Sequence, residues 1–299
     1  MNNVRVWIDA SLCNGDGLCA AVCPARVFDQ SAPGALPSVA RPQVCIDCGH
    51  CVAICPTDAM RHADMDPARC TPVDAQPAVP PEQLLHLLRK RRSVRHFRPK
   101  PVPRQALELL LEAGRCAPTA SNAQEFEFIV IQDAQRIRHL AHLACGPFAL
   151  MLKLLRNPIT RAISRLVAGA RTVEEGLENI EEMQRIAAAP KTGEDPIFLN
   201  APAVILTHAP AGSFFAETDC ANAQHQMALM ADAMGLGATT IGYFIVSARY
   251  SPALKRALRL PRGHRLYGAL IVGYPRYRWR RLPERRPARV RWEKGPAGN

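Results

Sequence analysis

The chain has 299 residues, 48% of them hydrophobic, with 38 basic and 26 acidic side chains. That length allows roughly two domains, one of them with a sizeable core. No run approaches the ~18–20 apolar residues of a membrane span, and the start, MNNVRVWIDASLC, lacks the apolar core of a signal peptide. The charge is uneven: residues 1–80 hold five Arg and eight Asp, net −3, so residues 81–299 carry +15 of the total +12. A pI near 9.5 would suit nucleic acid, but aromatic residues make up only 6% and no nucleic-acid motif stands out. An anionic cofactor, an acidic redox partner or a solvated surface fits the balance better.

The first elements in the chain are two similar cysteine runs. One reads Cys13-x2-Asp16-x2-Cys19-x3-Cys23-Pro24, the other Cys45-x2-Cys48-x2-Cys51-x3-Cys55-Pro56. Three thiolates on a tight loop can each reach a different iron of one cubane, while the fourth projects onto the neighbouring cluster. Structural zinc, the rival use, favours CxxC pairs set further apart. Seven of the eleven cysteines fall in these runs; Cys70, Cys116, Cys145 and Cys220 are scattered. Metal-type use of this kind implies a reducing interior and places the protein in the cytoplasm.

Residues 4–70 resemble the dicluster bacterial ferredoxins. The resemblance implies one cubane held by Cys45, Cys48, Cys51 and the remote Cys23, and a second held by Cys13, Cys19 and the remote Cys55. Asp16 stands where that pattern has cysteine. A carboxylate is a harder, weaker partner for cluster iron than a thiolate. Iron at that corner would then exchange between a four-iron and a three-iron form. The alternative is that Asp16 is a solvated loop residue beside an empty corner.

Thr71 to Pro81 carries four prolines and no aromatic residue, and reads as a semi-rigid linker between an amino-terminal unit (1–70) and a larger one (82–299). Glu82–Arg92 then reads as a helix that buries Leu84, Leu85, Leu87 and Leu88. Pro103 opens a helix with Leu107, Leu110 and Leu111 at helical spacing and Gly114 near its end. Phe126, Phe128 and Val130 alternate as in a strand. Residues 147–200 form a helical insertion, apolar at Phe148–Leu155, basic at Arg156–Arg171 and acidic at Glu174–Glu182. Further strands are expected at Ala203–His208, Ala238–Val246 and Tyr267–Val272, with a helix at Asp219–Met234 ended by Gly235 and Gly237. Gly235-x-Gly237 follows a helix rather than a strand, which excludes a dinucleotide fingerprint. Cys116 and Cys220 fall on expected helices among small residues, where cysteine acts as a small hydrophobe.

Four patches of the larger unit bear on chemistry. Arg91-Arg92-Ser93-Val94-Arg95 offers guanidinium forks and a hydroxyl, an apt cradle for a phosphate. Ala117-Pro118-Thr119-Ala120-Ser121-Asn122-Ala123-Gln124, Gly235–Tyr243, and a tail with nine basic and two acidic residues between Arg276 and Lys294 follow it. In order and separation they resemble the nitroreductase family of FMN flavoproteins over most of residues 82–293. The resemblance implies that Arg91, Arg92, Ser93 and Arg95 grip the FMN phosphate and ribityl chain. It further implies that Pro118, Asn122 and Gln124 lie along the flavin, and that Thr240, Ile241 and Gly242 bring backbone to the ring edge. A basic pair, Arg285 and Arg286 by choice with Arg281 and Arg289 as rivals, returns to the phosphate. The implied fold is α+β: a ferredoxin-like dicluster domain joined to a mixed sheet flanked by helices, in a homodimer with FMN at the subunit interface. The flavin carries the redox chemistry, so no acid or base is assigned. The expected function is an oxidoreductase that passes electrons from the clusters to FMN and on to a small electrophile such as a nitroaromatic or quinone. NAD(P)H or an external ferredoxin would be the donor. A redox sensor and an electron shuttle without organic substrate are the rivals.

Overall fold

The computed structural model of the protein describes residues 5–73 and 76–293; Asp74, Ala75 and Lys294, used above in placing the linker and tail, lie outside them. The amino-terminal unit pairs β1 (Val6–Ile8) antiparallel with β4 (Met60–His62), and β2 (Phe28–Asp29) with β3 (Ser38–Val39). Between them lie two five-residue helices, α1 (Leu18–Val22) and α2 (His50–Ile54). Each begins after a glycine in the left-handed region, Gly17 at φ 71° and Gly49 at φ 74°. A side chain is strained there, so both cysteine runs turn into their helices in the same way. The core is small, with Val6, Val27, Phe28, Val52 and Met60 around buried Cys19.

After the proline-rich stretch come α3 (Pro81–Lys90), α4 (Arg104–Arg115), β5 (Glu127–Ile131) and α5 (Ala134–Arg156). The insertion supplies α6 (Pro158–Ala168), α7 (Ala170–Glu178) and α8 (Ile180–Thr192). Then follow β6 (Ala203–Pro210), α9 (Ala216–Ala233), β7 (Gly237–Thr240), α10 (Gly242–Tyr250), α11 (Pro252–Leu258) and β8 (His264–Gly273). The strands form one sheet in the order β5-β6-β8-β7, paired antiparallel. The parallel pairing is a bridge, Ser93 to Ala238, at the β7 edge.

Side chains alternate across a strand, and helices cover both faces of this sheet, so β6 over Ala203–Leu206 and β8 over Ala269–Val272 are apolar on both faces. Ala203, Ile205, Leu270 and Val272 face Leu107 and Leu110 of α4 and Met227 and Ala231 of α9. Val204, Leu206, Ala269 and Ile271 face the layer made by α5, α8, α10 and α11. Gly114 lets α4 approach closely, because a Cβ there would stand 3.0 Å from Phe128 and 3.1 Å from Met227.

Several expectations change. The leucine face of α3 is not buried: Leu84, Leu85 and Leu88 are 42–47% exposed. Its periodicity is helical, but nothing among the described residues buries it. The strand expected at Ala238–Val246 stops at Thr240. The Ile241 amide makes a last bond to the Ala269 carbonyl, and the chain turns into α10. Pro147 lies inside α5, so the insertion departs from the middle of a 23-residue helix. Cys220 is fully buried, with its thiol pushed up to about 12 by desolvation, but Cys116 is exposed at the end of α4.

Candidate functional site

Cys23, Cys45, Cys48 and Cys51 line one cavity, together with Pro24, His50 and His62. These are the four thiols expected to share a cubane. Burial pushes the Cys51 thiol up to about 11 and raises that of Cys45; binding of iron must displace those protons. Around Cys45 lies a charged ring. Asp47 accepts from Arg5 Nε at 3.0 Å and from His62 Nε2 at 2.9 Å. The Asp64 amide donates to His62 Nδ1, which leaves the proton on Nε2. Burial opposes ionisation of Asp47, but the His62 hydrogen bond and the Arg5 charge outweigh it and hold the carboxyl below its usual range.

In the other run Cys13 and Asp16 lie close enough to Cys19 for their charges to raise its thiol, after burial as the larger cause. Asp16 takes the place that Cys48 has in the symmetric loop, just before the left-handed glycine. Its side chain is exposed and accepts from the Leu18 amide at 3.0 Å. That contact ties one carboxylate oxygen to the start of α1 and leaves the other free. Burial opposes ionisation of Cys55, but hydrogen bonds from the Thr57 and Met60 amides and the Thr57 hydroxyl outweigh it and lower its pKa.

In the larger unit, Arg91 and Ser93 line a cavity of about 340 Å³ with Ala221, Gln224, His225, Thr239 and Thr240. A second cavity of about 410 Å³ shares Thr239 and Thr240, and is lined by Arg95, Ile241, Gly242, Tyr243, Glu182 and Arg185. Both volumes are in the range of small-molecule sites. The cradle is stitched to β7: the Val94 amide donates to the Ala238 carbonyl, and Thr239 Oγ1 donates to the Val94 carbonyl at 2.9 Å. Gly237 permits this approach, since a Cβ there would stand 2.6 Å from Val94. Gln224 is 4% exposed, and its Oε1 has no hydrogen-bond partner. An orphaned buried acceptor in the cavity that Arg91 and Ser93 line fits a group that carries both an anion and donor N–H or O–H groups.

Other expected residues fall elsewhere. Arg92 is half-buried and donates to the neighbouring Arg91 carbonyl. Arg285 and Arg286 lie in an exposed carboxyl-terminal stretch and line neither cavity. Pro118, Asn122 and Gln124 also line neither. Their loop is tied to the start of α9, where buried Asp219 accepts from the Ala120 amide at 3.2 Å. Ser121, Asn122 and Gln124 all have φ near +50°, an arrangement that persists only where surroundings hold it. Asp219 holds it on one side, and on the other Asn122 Nδ2 donates to the Ile46 carbonyl at 3.1 Å and to the Asp47 carbonyl at 2.9 Å. Both acceptors lie between Cys45 and Cys48.

Sequence reasoning missed Gln224, His225, Glu182, Arg185 and Asp219. For Gln224 there was no signal in the sequence: it sits in a polar run with Asn222, His225 and Gln226, and only the fold buries it. Arg185 was hidden in a charge-rich insertion, where Glu182 grips it at 2.7 Å and raises its pKa.

A profile of the nitroreductase family matches residues 88–274, more than half of the chain. The chain belongs to the nitroreductase family. A 4Fe-4S dicluster domain profile matches residues 5–56, so this nitroreductase carries its own iron–sulfur module, and the family makes it an FMN-dependent oxidoreductase. A protein of Archaeoglobus fulgidus with the provisional description NADH dehydrogenase/NAD(P)H nitroreductase is 22% identical over 195 residues, covering 65% of this chain and 87% of that one. An NADH dehydrogenase of Thermus thermophilus is 42% identical over 57 residues, which span 28% of its length. The crystal structure of a nitroreductase with bound FMN from Bacteroides fragilis shares the fold at TM-score 0.51 and 20% identity, covering 70% of this chain and 95% of that one. Among the described residues no helix is long and apolar enough to cross a membrane.

Proposed function

We propose that this nitroreductase passes electrons from its amino-terminal clusters to FMN and on to a small electrophilic acceptor, a nitroaromatic, quinone or similar ring. The observation that carries the reading is the pair of hydrogen bonds from Asn122 to the cluster loop. Asn122 is a residue that the family resemblance assigns to the flavin. From Asp219, which anchors that loop, to Gln224 in the cradle is five residues of α9, roughly 7.5 Å at 1.5 Å per residue. Cluster loop, flavin loop and cradle are thus joined by one helix and a few hydrogen bonds.

FMN, when bound, supplies the hydride or electron transfer. Arg91, Arg95 and Ser93 would take the phosphate and ribityl chain, with Arg92 beside them. The backbone at Thr240, Ile241 and Gly242 would meet the ring edge. Gln224 would present its free oxygen to a donor on the cofactor. Arg285 and Arg286 line neither of the two cavities and would serve the partner's site. A homodimer also covers the exposed leucines of α3, and Trp279 and Trp292 of the tail, 63% and 85% exposed. The cavity bounded by Arg95, Arg185 and Tyr243 leaves room for an organic acceptor, which favours an enzyme over a shuttle. The clusters would comprise one four-iron cubane on Cys23, Cys45, Cys48 and Cys51, and one on Cys13, Cys19 and Cys55 with a labile corner at Asp16. The thiolate-rich module supports a reducing compartment, the cytoplasm, for this nitroreductase.

Anaerobic stopped-flow on the full chain tests the reading. A reduced low-potential ferredoxin should reduce the clusters first and the flavin after them. Rapid flavin reduction by NADPH while the clusters stay oxidised would show that the clusters are not the entrance.

A further inference from the structure

Away from the cradle, three potential ligands converge on one face of the sheet. His208 of β6 and His264 of β8 bring their Nδ1 atoms to 3.0 Å. Glu127 of β5 stands beside both, with carboxylate oxygens 4.0 Å from His208 Nε2 and 3.9 Å from His264 Nε2. One ligand atom from each residue falls within 4.8 Å of the others. The His208 side chain is 3% exposed and that of His264 13%.

The backbone makes a specific arrangement for this meeting. Glu127 is directly opposite His208. Between β6 and β8 the register slips: Thr207 pairs with Gly268 but His208 pairs with Leu266, so Tyr267 is an extra residue. A bulge of this kind reverses which face the following residues occupy. Without it, His264 would point to the face opposite His208. With it, His264 pairs with Pro210, two residues from His208, and the two imidazoles share a face.

We propose that Glu127, His208 and His264 form a site for a divalent first-row transition ion, zinc in the test below. Two imidazole nitrogens and one carboxylate oxygen form the donor set of open zinc sites, which leave a fourth position free. With Zn–N distances of ~2.0–2.1 Å, tetrahedral geometry separates two nitrogens by about 3.3 Å. The pair is already within a few tenths of an ångström of that spacing. Burial favours the neutral, ligating form of His208. Glu127, 57% exposed, now stands on the Nε2 side of both rings and would turn toward the Nδ1 pair to complete the set. His264 also lines a cavity with Arg249, Lys255 and Arg265. Those cations weaken binding of a bare ion and favour an anion as its fourth ligand. An ion here would clamp β5, β6 and β8 at the end where β5 leaves the Asn122 loop.

The test uses anaerobically purified protein with clusters and flavin loaded, so that cluster thiols do not compete. After equilibrium dialysis against micromolar Zn2+, zinc is counted by mass spectrometry beside iron and flavin. The wild type should retain one zinc per chain. His264→Gln and His208→Gln should abolish retention, and Glu127→Gln should weaken it at least about tenfold, the scale on which supporting groups alone already act. Glu127 is exposed, so its variant remains informative if a histidine variant folds poorly. Equal zinc in wild type, Glu127→Gln and His264→Gln, or none in the wild type, overturns the site.

Discussion

Replacing Asn122 with glycine removes both hydrogen bonds to the cluster loop without adding strain, because glycine accepts the φ of 55° that Asn122 holds. Each neutral hydrogen bond contributes about 0.5–1.5 kcal/mol net. The pair therefore contributes roughly 1–3 kcal/mol to holding the two loops together, and at ~1.4 kcal/mol per decade its loss shifts the docking equilibrium roughly 5- to 140-fold. The acceptors Ile46 and Asp47 are only half-buried, so water can replace the lost donor and the lower end applies. Two assays read this. Amide hydrogen exchange in residues 45–48 and 119–124 should accelerate about fivefold or more. The rate of flavin reduction by pre-reduced clusters should fall with it, while iron and flavin content stay at wild-type levels. Unchanged exchange and an unchanged transfer rate in fully loaded Asn122→Gly would refute the idea that this contact joins the two modules.

Gly237→Ala drives a methyl group into Val94; overpacking of that kind costs about 1–3 kcal/mol, read as a lower thermal midpoint, and flavin should dissociate faster as Ser93 is pushed from β7. Gln224→Met keeps the volume and removes the free acceptor, so FMN affinity in a fluorescence titration should fall about three- to tenfold, one neutral hydrogen bond's worth. Asp16→Cys should raise iron by up to about one atom per chain and remove the EPR change that added ferrous iron produces in the wild type; identical wild-type spectra with and without iron would show that Asp16 faces no labile corner. At pH 8, iodoacetamide should label exposed Cys70 and Cys116 in the loaded protein and spare Cys220. With a pKa raised to about 12, roughly one Cys220 thiol in ten thousand is ionised at that pH, and the fraction grows only as pH rises.

The meeting of the remote Cys23 with Cys45, Cys48 and Cys51 in one cavity was legible because a cubane would dictate that spacing of its ligands. β6 and the Tyr267–Val272 part of β8 were legible from their apolar residues, while the His264–Leu266 end of β8 was not. The stretch after Ala238 was not either, since a short apolar segment looks alike as strand or helix; β7 leaves β8 after the Ile241–Ala269 bond although β8 itself continues to His264. The leucines of α3 announce a helix but not what covers it. Arg91, Ser93, Arg95, Thr240, Ile241 and Gly242 do gather around two adjoining cavities, whereas Asn122 meets a partner 75 and 76 residues away. No local pattern records a contact of that range. The bulge at Tyr267 is equally silent, being a slip between strands rather than a feature of either one.

The central claim is that cluster and flavin are wired within one assembly. Its most direct test is single-turnover flavin reduction by clusters reduced beforehand, with protein concentration varied over two decades under anaerobic conditions. Internal wiring predicts one rate constant at every concentration, with cluster oxidation and flavin reduction running in step. A rate that climbs in proportion to concentration would mean that the electrons travel between separate molecules.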